Sequence, residues 1–221
     1  MGPLGARQAP RLGCARPQAP LQGRSFSLSN QPVERITWFD AVNYCNQRSA
    51  AEGFTPVYTI TNSGQQGVHI ISGTVTWDQS ADGYRLLTEA EWEYACRATG
   101  TDAFCNGGIS QTGCGSEPYL GLVAWYCNNA ESQTHAVTQK SPNNWGLSDM
   151  HGNVWEWCWD WYASYGGAAT DPCGPDSGSL RVYRGGCWGE GAQHCRSAYR
   201  RNCSPSGRYD YMGMRLARTA F

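Results

Sequence analysis

Residues Val154 to Tyr162 alternate without interruption: Trp155, Trp157, Trp159 and Trp161 fall on one side, and Val154, Glu156, Cys158 and Asp160 on the other. A period of two over nine residues is a strand signature. Four indoles on one strand face must be covered, because that much contiguous apolar area is not left in water by a monomeric domain. The chain is therefore expected to lay other elements over this strand as a tryptophan core layer, not to display it as a sugar-stacking platform. Glu156 and Asp160 on the reverse side then need a charged or hydrogen-bonding partner.

The elements available for that cover are few. Thr37 followed by Asp40 has the pattern of a capping box, and Trp38, Val42 and Cys45 recur at helical spacing as far as about Ser49. Thr88 and Glu91 repeat the arrangement, with Trp92, Ala95, Cys96 and Thr99 on one face before Gly100. Two helices are predicted. Between them, Val75 to Trp77 and Tyr84 to Leu87 read as short strands around an Asp82-Gly83 turn. Residues 101 to 146 read as mostly loop, and further strands are expected at Arg181 to Gly186, Cys195 to Arg200 and Met212 to Ala217. The fold class is α+β, with two helices around small antiparallel sheets and long loops.

At 221 residues the chain has room for one domain. Residues 1–30, rich in Pro and Arg and without apolar periodicity, read as a flexible leader, and 31–221 as a single domain. Charged residues are 16% and the net charge is −1, which argues against a nucleic-acid partner. No stretch approaches the roughly 20 apolar residues of a membrane span, and the leader lacks a signal peptide's apolar segment. Cell location is left open by the sequence, the cell surface and the extracellular space included. Eleven cysteines without a CxxC pair exclude a zinc ribbon or a thioredoxin-type motif. Cys105 and Cys114, and likewise Cys158 and Cys173, flank loops that local disulfides would close in an oxidising compartment.

Five segments in order, ITWFDA at 36–41, GYRLLTEAEWEYACRATG at 83–100, NNWGLSDMHGNVWEW at 143–157, RVYRGGCW at 181–188 and GMRLA at 213–217, together resemble the formylglycine-generating enzyme and sulfatase-modifying family. The resemblance implies a C-type-lectin-like fold, in which a small sheet displays long loops. It also implies a copper-binding C-x4-C pair in members that are oxidases, since a soft Cu(I) ion takes paired thiolates. At the corresponding positions this chain has Glu190 and Cys195. A family oxidase, or a divergent enzyme using Cys187 or Cys195, is the alternative to a non-catalytic role. No cofactor is required by the non-catalytic reading. A structural calcium ion, which the resemblance places at Asp149, Gly152, Val154 and Glu156, is weighed against an ion pair of Glu156 with Arg85.

The segment 181–217 is further similar to the C-terminal segment of variable proteins from diversity-generating retroelements, of the type RVxRGGSW followed by framework residues interleaved with diversified positions. That similarity places the diversified positions at Tyr183, Gly189, Glu190, Gly191, His194, Tyr199, Arg201, Asn202, Cys203, Gly207, Tyr209, Asp210 and Tyr211. All but Glu190 have codons ending in C, as mutagenesis of an AAC codon at its adenines requires. The residue types suit a binding surface: tyrosines give rigid amphipathic area, and Gly, Asn and Asp give adaptable hydrogen bonding. The function implied is non-catalytic display of a surface that binds a protein or a glycan. Calcium-linked sugar binding is disfavoured, because the chain has no Glu-Pro-Asn or Gln-Pro-Asp tripeptide.

Overall fold

The computed structural model describes residues 30–219. The leader expected over residues 1–30 lies almost wholly outside them. The tryptophan strand, β6 (Trp155–Trp161), is a central strand of a four-stranded sheet ordered β8 (Arg200–Cys203), β7 (Arg181–Arg184), β6 and β9 (Met212–Met214). Strands β7 and β8 run antiparallel to their neighbours and β9 runs parallel to β6. Helices and small sheets complete an α+β architecture consistent with the C-type-lectin-like fold.

Both faces of β6 are covered. On the indole side lie α1 (Trp38–Ala51) and a long hairpin of β1 (Tyr58–Gln66) and β2 (His69–Trp77). Trp159 stacks on Tyr58 with ring centroids 5.2 Å apart and meets Trp38 at 5.4 Å and Trp77 at 5.2 Å. Trp155 and Trp157 are buried, and the Nε1 of Trp157 donates to the Ile36 carbonyl at 3.3 Å. The indoles are core, as the alternation requires. Helix α1 is fixed in place by its capping box, in which Thr37 Oγ1 accepts from the Asp40 N–H at 2.9 Å and the Asp40 carboxylate accepts from the Thr37 N–H at 3.1 Å.

On the reverse side α2 (Glu89–Arg97) packs its Trp92, Ala95 and Cys96 against Cys158 and Val182. Asp160 there accepts from the Glu89 N–H at 2.7 Å, so a buried carboxyl lies at the helix N-terminus. Burial pushes the Asp160 pKa up from 3.8 to about 7.

Three expectations change. The Val75–Trp77 stretch is the end of β2, which pairs with β1 and not with Tyr84–Leu86 (β3); β3 instead takes the C-terminal strand β10 (Leu216–Arg218) as its partner, so Asp82-Gly83 is a connection and not a hairpin turn. The strand expected over Cys195 to Arg200 begins only at Arg200, because Ala192–Cys195 winds into a 3₁₀ turn. The stretch 101–146 holds a third helix, α3 (Pro118–Val123), and β4 (Ala124–Trp125), which pairs in parallel with β5 (His151–Gly152) beyond it, and its Phe104, Leu120 and Tyr126 form a satellite core with Ala192. Helix α3 is six residues long with no side-chain cap, below what periodicity detects. The disulfide also differs: Cys114 joins Cys127, while Cys105, Cys158 and Cys173 are free thiols. Cys105 and Cys158 are built into other contacts, and the loop that needs closing is the one carrying the satellite core.

Trp157→Ala is expected to lower stability by about 3–5 kcal/mol in chemical denaturation, the cost of an unfilled core site; a near-neutral result would contradict the packed layer. Because folding raises the Asp160 pKa, the native state holds that proton more tightly than the unfolded chain. The contribution of Asp160 is therefore complete below about pH 4 and is lost as pH rises through about 7. Asp160→Asn, measured by denaturation across this window, is expected to gain stability relative to wild type with rising pH; a pH-independent difference would exclude the linkage.

Candidate functional site

The tail after β6 separates into two populations of residues. Framework positions Arg184, Gly185, Gly186, Ala192, Cys195, Ser197, Met212, Gly213, Leu216 and Ala217 are buried. The positions marked as diversified, with Tyr183 and Gly191 as the exceptions, are partly or fully exposed, as are framework residues such as Trp188, Arg196, Ala198, Arg200 and Arg208. The division has local causes. Gly186 has φ +81° and lies so close to Cys195 that a Cβ would sit 2.5 Å from its Sγ. The Arg184 guanidinium is enclosed: it donates to the Ser197 and Tyr199 carbonyls at 2.9 and 2.8 Å and pairs with Glu89 and Glu93 on α2. These contacts fix the loop 185–199 from beneath.

On this support the exposed positions form one continuous face. Glu190 stands at its centre, accepting from Arg201 Nη1 at 2.6 Å and pairing with His194 Nδ1 at 2.5 Å. Although partial burial opposes its charge, Arg201 is held above its ordinary pKa by Glu190. The His194 ring lies 4.8 Å from Tyr199. Tyr209 and Tyr211 stack with ring centroids 5.1 Å apart, and the Cys203 thiol donates to the Tyr209 hydroxyl at 3.9 Å. Tyr211, Glu190 and Gly189 line, together with Cys187 and Trp188, a cleft of about 300 Å³. Gly189 has open space where a side chain would be.

Four of the expected positions lie otherwise. Tyr183 is buried, edge-on to Trp155 and Trp157 at 5.0 and 5.8 Å, because it occupies the indole side of β7. Gly191 is buried against the loop at 112–113, where a Cβ would come 2.9 Å from the Thr112 carbonyl oxygen. Gly207 has room for no side chain without displacing Cys203 Sγ, which would be 2.6 Å away. Asn202 pairs with Val182, on the side of β8 opposite to Arg201 and Cys203. Conversely, Trp188 and Arg35 belong to the face: Trp188 Nε1 donates to the Asp210 carbonyl at 3.3 Å, the Arg35 N–H donates to the Tyr209 carbonyl at 2.9 Å, and its guanidinium reaches Asp210 at 3.5 Å. Trp188 is read from sequence as framework, and Arg35 is brought in by the fold from the start of the domain.

The residues considered for calcium do not fit the ion. Both Glu156 oxygens are taken by Arg215, Oε1 from Nη2 at 2.8 Å and Oε2 from Nε at 2.9 Å, and Oε2 also accepts from Trp92 Nε1 at 2.7 Å. The Asp149 carbonyl accepts from Arg215 at 3.1 Å and its carboxylate accepts from the Thr138 N–H at 2.7 Å. A guanidinium stands where a cation would be coordinated. Gly152, at φ +69° with the Trp125 carbonyl oxygen 2.1 Å from a hypothetical Cβ, shapes the β4–β5 pair, and Val154 is buried beside it. The partner of Glu156 is Arg215 and not Arg85, which pairs with Glu91 at 2.6 Å. Among the described residues no group of three or more His, Cys, Asp or Glu is arranged to hold a metal ion.

Comparison with known families matches residues 11–220 to the Sulfatase-modifying factor enzyme 1-like domain. The chain belongs to this family. The match begins within the stretch set apart as a leader. Among solved structures, Treponema denticola variable protein 1 superposes with a TM-score of 0.75 at 34% identity, covering 91% of this chain and 75% of that one. The family and the variable-protein type to which the tail is similar are both borne out. Chaperone protein LppX of Paenibacillus barcinonensis is 34% identical over 216 residues, 88% of this chain and 72% of LppX. The formylglycine-generating enzyme of Streptomyces coelicolor is 34% identical over 174 residues, 69% of this chain and 52% of the enzyme, so this domain spans about half of that relative.

Arg215→Met is expected to cost about 3–5 kcal/mol in denaturation, since it leaves the buried Glu156 carboxylate unpaired, and Glu156→Gln in the same chain is expected to restore part of the loss. Millimolar calcium is expected to leave the wild-type Tm unchanged; a rise abolished by Glu156→Gln would place an ion there after all.

Proposed function

We propose that this sulfatase-modifying-factor-type domain is a non-catalytic display protein that binds a protein or glycan surface through the face of Gly189, Glu190, His194, Tyr199, Arg201, Cys203, Tyr209, Asp210 and Tyr211. The observation that carries this reading is the coincidence of two independent partitions. The sequence similarity separates the tail into framework and diversified positions, and the fold leaves every diversified position but Tyr183 and Gly191 accessible, while the buried positions of the tail are otherwise framework. The accessible face carries what recognition surfaces use: stacked tyrosines, an arginine and a charged centre beside an apolar cleft. The likeness to Treponema denticola variable protein 1 supports the same role.

The second reading, a family oxidase, draws on the likeness to formylglycine-generating enzyme. Against it stands the thiol chemistry. Glu190 occupies one of the two positions and is engaged with Arg201 and His194, while burial pushes Cys195 well above the ordinary thiol range and Cys187 up to about 12. A soft metal takes paired thiolates, and Cys195 is the one thiol left at the two positions.

Sequencing of the DNA around the gene is expected to find a near-copy of the stretch encoding residues 181–217, differing mainly at adenines, beside a reverse transcriptase gene. Finding neither would return the chain to a module of fixed specificity. On protein and glycan arrays, the triple variant Arg201→Ala, Tyr209→Ala, Tyr211→Ala is expected to lose every wild-type signal at a nearly unchanged Tm. Retained signals would remove the face from the binding role, and stoichiometric Cu(I) binding abolished by Cys195→Ser would favour the oxidase.

A further inference from the structure

A second cleft, of about 270 Å³, opens at the other end of the indole layer and shares no lining residue with the tail face. Its walls include Trp38, Phe39 and Trp161, with Thr74 of the hairpin and Asp176 on the exposed loop at its mouth. Arg181 lines it as well. That guanidinium lies 3.4 Å from the ring centroid of Trp161 and 3.7 Å from that of Trp38, and is thus clasped between two indole faces.

Arg181 is 3% exposed, and its charge has little to balance it. Other buried arginines of the molecule have carboxylate partners: Arg184 has Glu89 and Glu93, Arg215 has Glu156, and Arg85 has Glu91. Arg181 has no carboxylate within ion-pair distance among the described residues. One Nη donates to the Trp159 carbonyl, and the Nε is buried without an acceptor. A guanidinium presents five donors in a planar fork matched to a carboxylate, and of that fork the Nη end, where Arg181 lines the cleft, is the part a ligand can reach. Burial lowers the Arg181 pKa to about 9, which still leaves the cation formed at neutral pH, and a bound anion would restore what burial removes.

We propose that this cleft is a binding site for a small organic carboxylate, held by the Arg181 fork with its planar apolar body against Trp161 and Phe39. The rim residue Asp176 lies on the solvent side, so the field runs from a negative mouth to a positive floor and orients the carboxylate inward. A volume of about 270 Å³ is ample for a ligand of the size of benzoate.

The test is titration of the full chain with benzoate and with its neutral counterpart benzyl alcohol, followed by saturation-transfer NMR and tryptophan fluorescence. Benzoate is expected to bind saturably and benzyl alcohol at least about tenfold more weakly. Arg181→Gln is expected to abolish the difference. Should that variant fail to fold, Thr74→Trp decides: it fills the mouth from an exposed hairpin position and is expected to block benzoate while Tm stays at the wild-type value. Equal binding of the two probes, no binding by wild type, or undiminished benzoate binding by Thr74→Trp would overturn the site.

Discussion

The burial of β6 on both faces is the constraint from which the remaining architecture follows. A strand with indoles on one side and Glu156, Cys158 and Asp160 on the other cannot lie at a surface in either orientation, so each side calls up a different cover. The indole side takes α1 and the hairpin, which offer Trp38, Tyr58 and Trp77 as aromatic partners. The reverse side takes α2, and here packing is joined to charge. Trp92 and Arg215 both reach Glu156, so one carboxylate ties the helix and the C-terminal segment to the central strand. Removing either partner leaves a buried charge that hydrophobic contact cannot compensate, which makes this pair a device for unique arrangement more than a source of net stability.

What was legible in the sequence was what local physics decides. Both capping boxes announce α1 and α2 because Thr37 with Asp40, and Thr88 with Glu91, satisfy backbone donors within a few residues. The alternation around Trp157 announces a strand for the same reason. Pairing was not legible. Nothing near Tyr84 shows that its partner is Arg218, and Glu156 could not be assigned to Arg215 over Arg85, since either choice closes a long loop at nearly the same entropic cost. The stretch 101–146 carries no legible period for a further reason: its order comes from a six-residue helix, a disulfide and a satellite core, each too short to leave one.

The candidate face was legible to a different degree. Its residue types and their interleaving could be taken from similarity to variable proteins, but accessibility could not. Tyr183 and Arg201 sit opposite each other on paired strands, yet one is wedged against Trp155 and the other reaches Glu190. A pattern along the chain cannot distinguish the two, because depth depends on which neighbours cross above them. Arg35, whose backbone and side chain hold Tyr209 and Asp210, gave no signal, as its role exists only once the ends of the domain meet.

On the proposed reading the face varies, and such a face needs support that does not depend on what varies. In this domain Arg184 reaches the Ser197 and Tyr199 carbonyls from below, and Gly186 admits Cys195 at a distance no larger residue would allow. Those contacts use backbone atoms and framework side chains, so a change at Gly189 or Tyr209 removes no buried hydrogen bond. Where a position marked as diversified does touch the interior, as at Tyr183, substitution would disturb the indole layer on which β6 relies. On that reading binding and folding are separable at Tyr209, which is exposed, and inseparable at Tyr183, and the depth of a side chain, not its chemical type, decides which positions could change without disturbing the core.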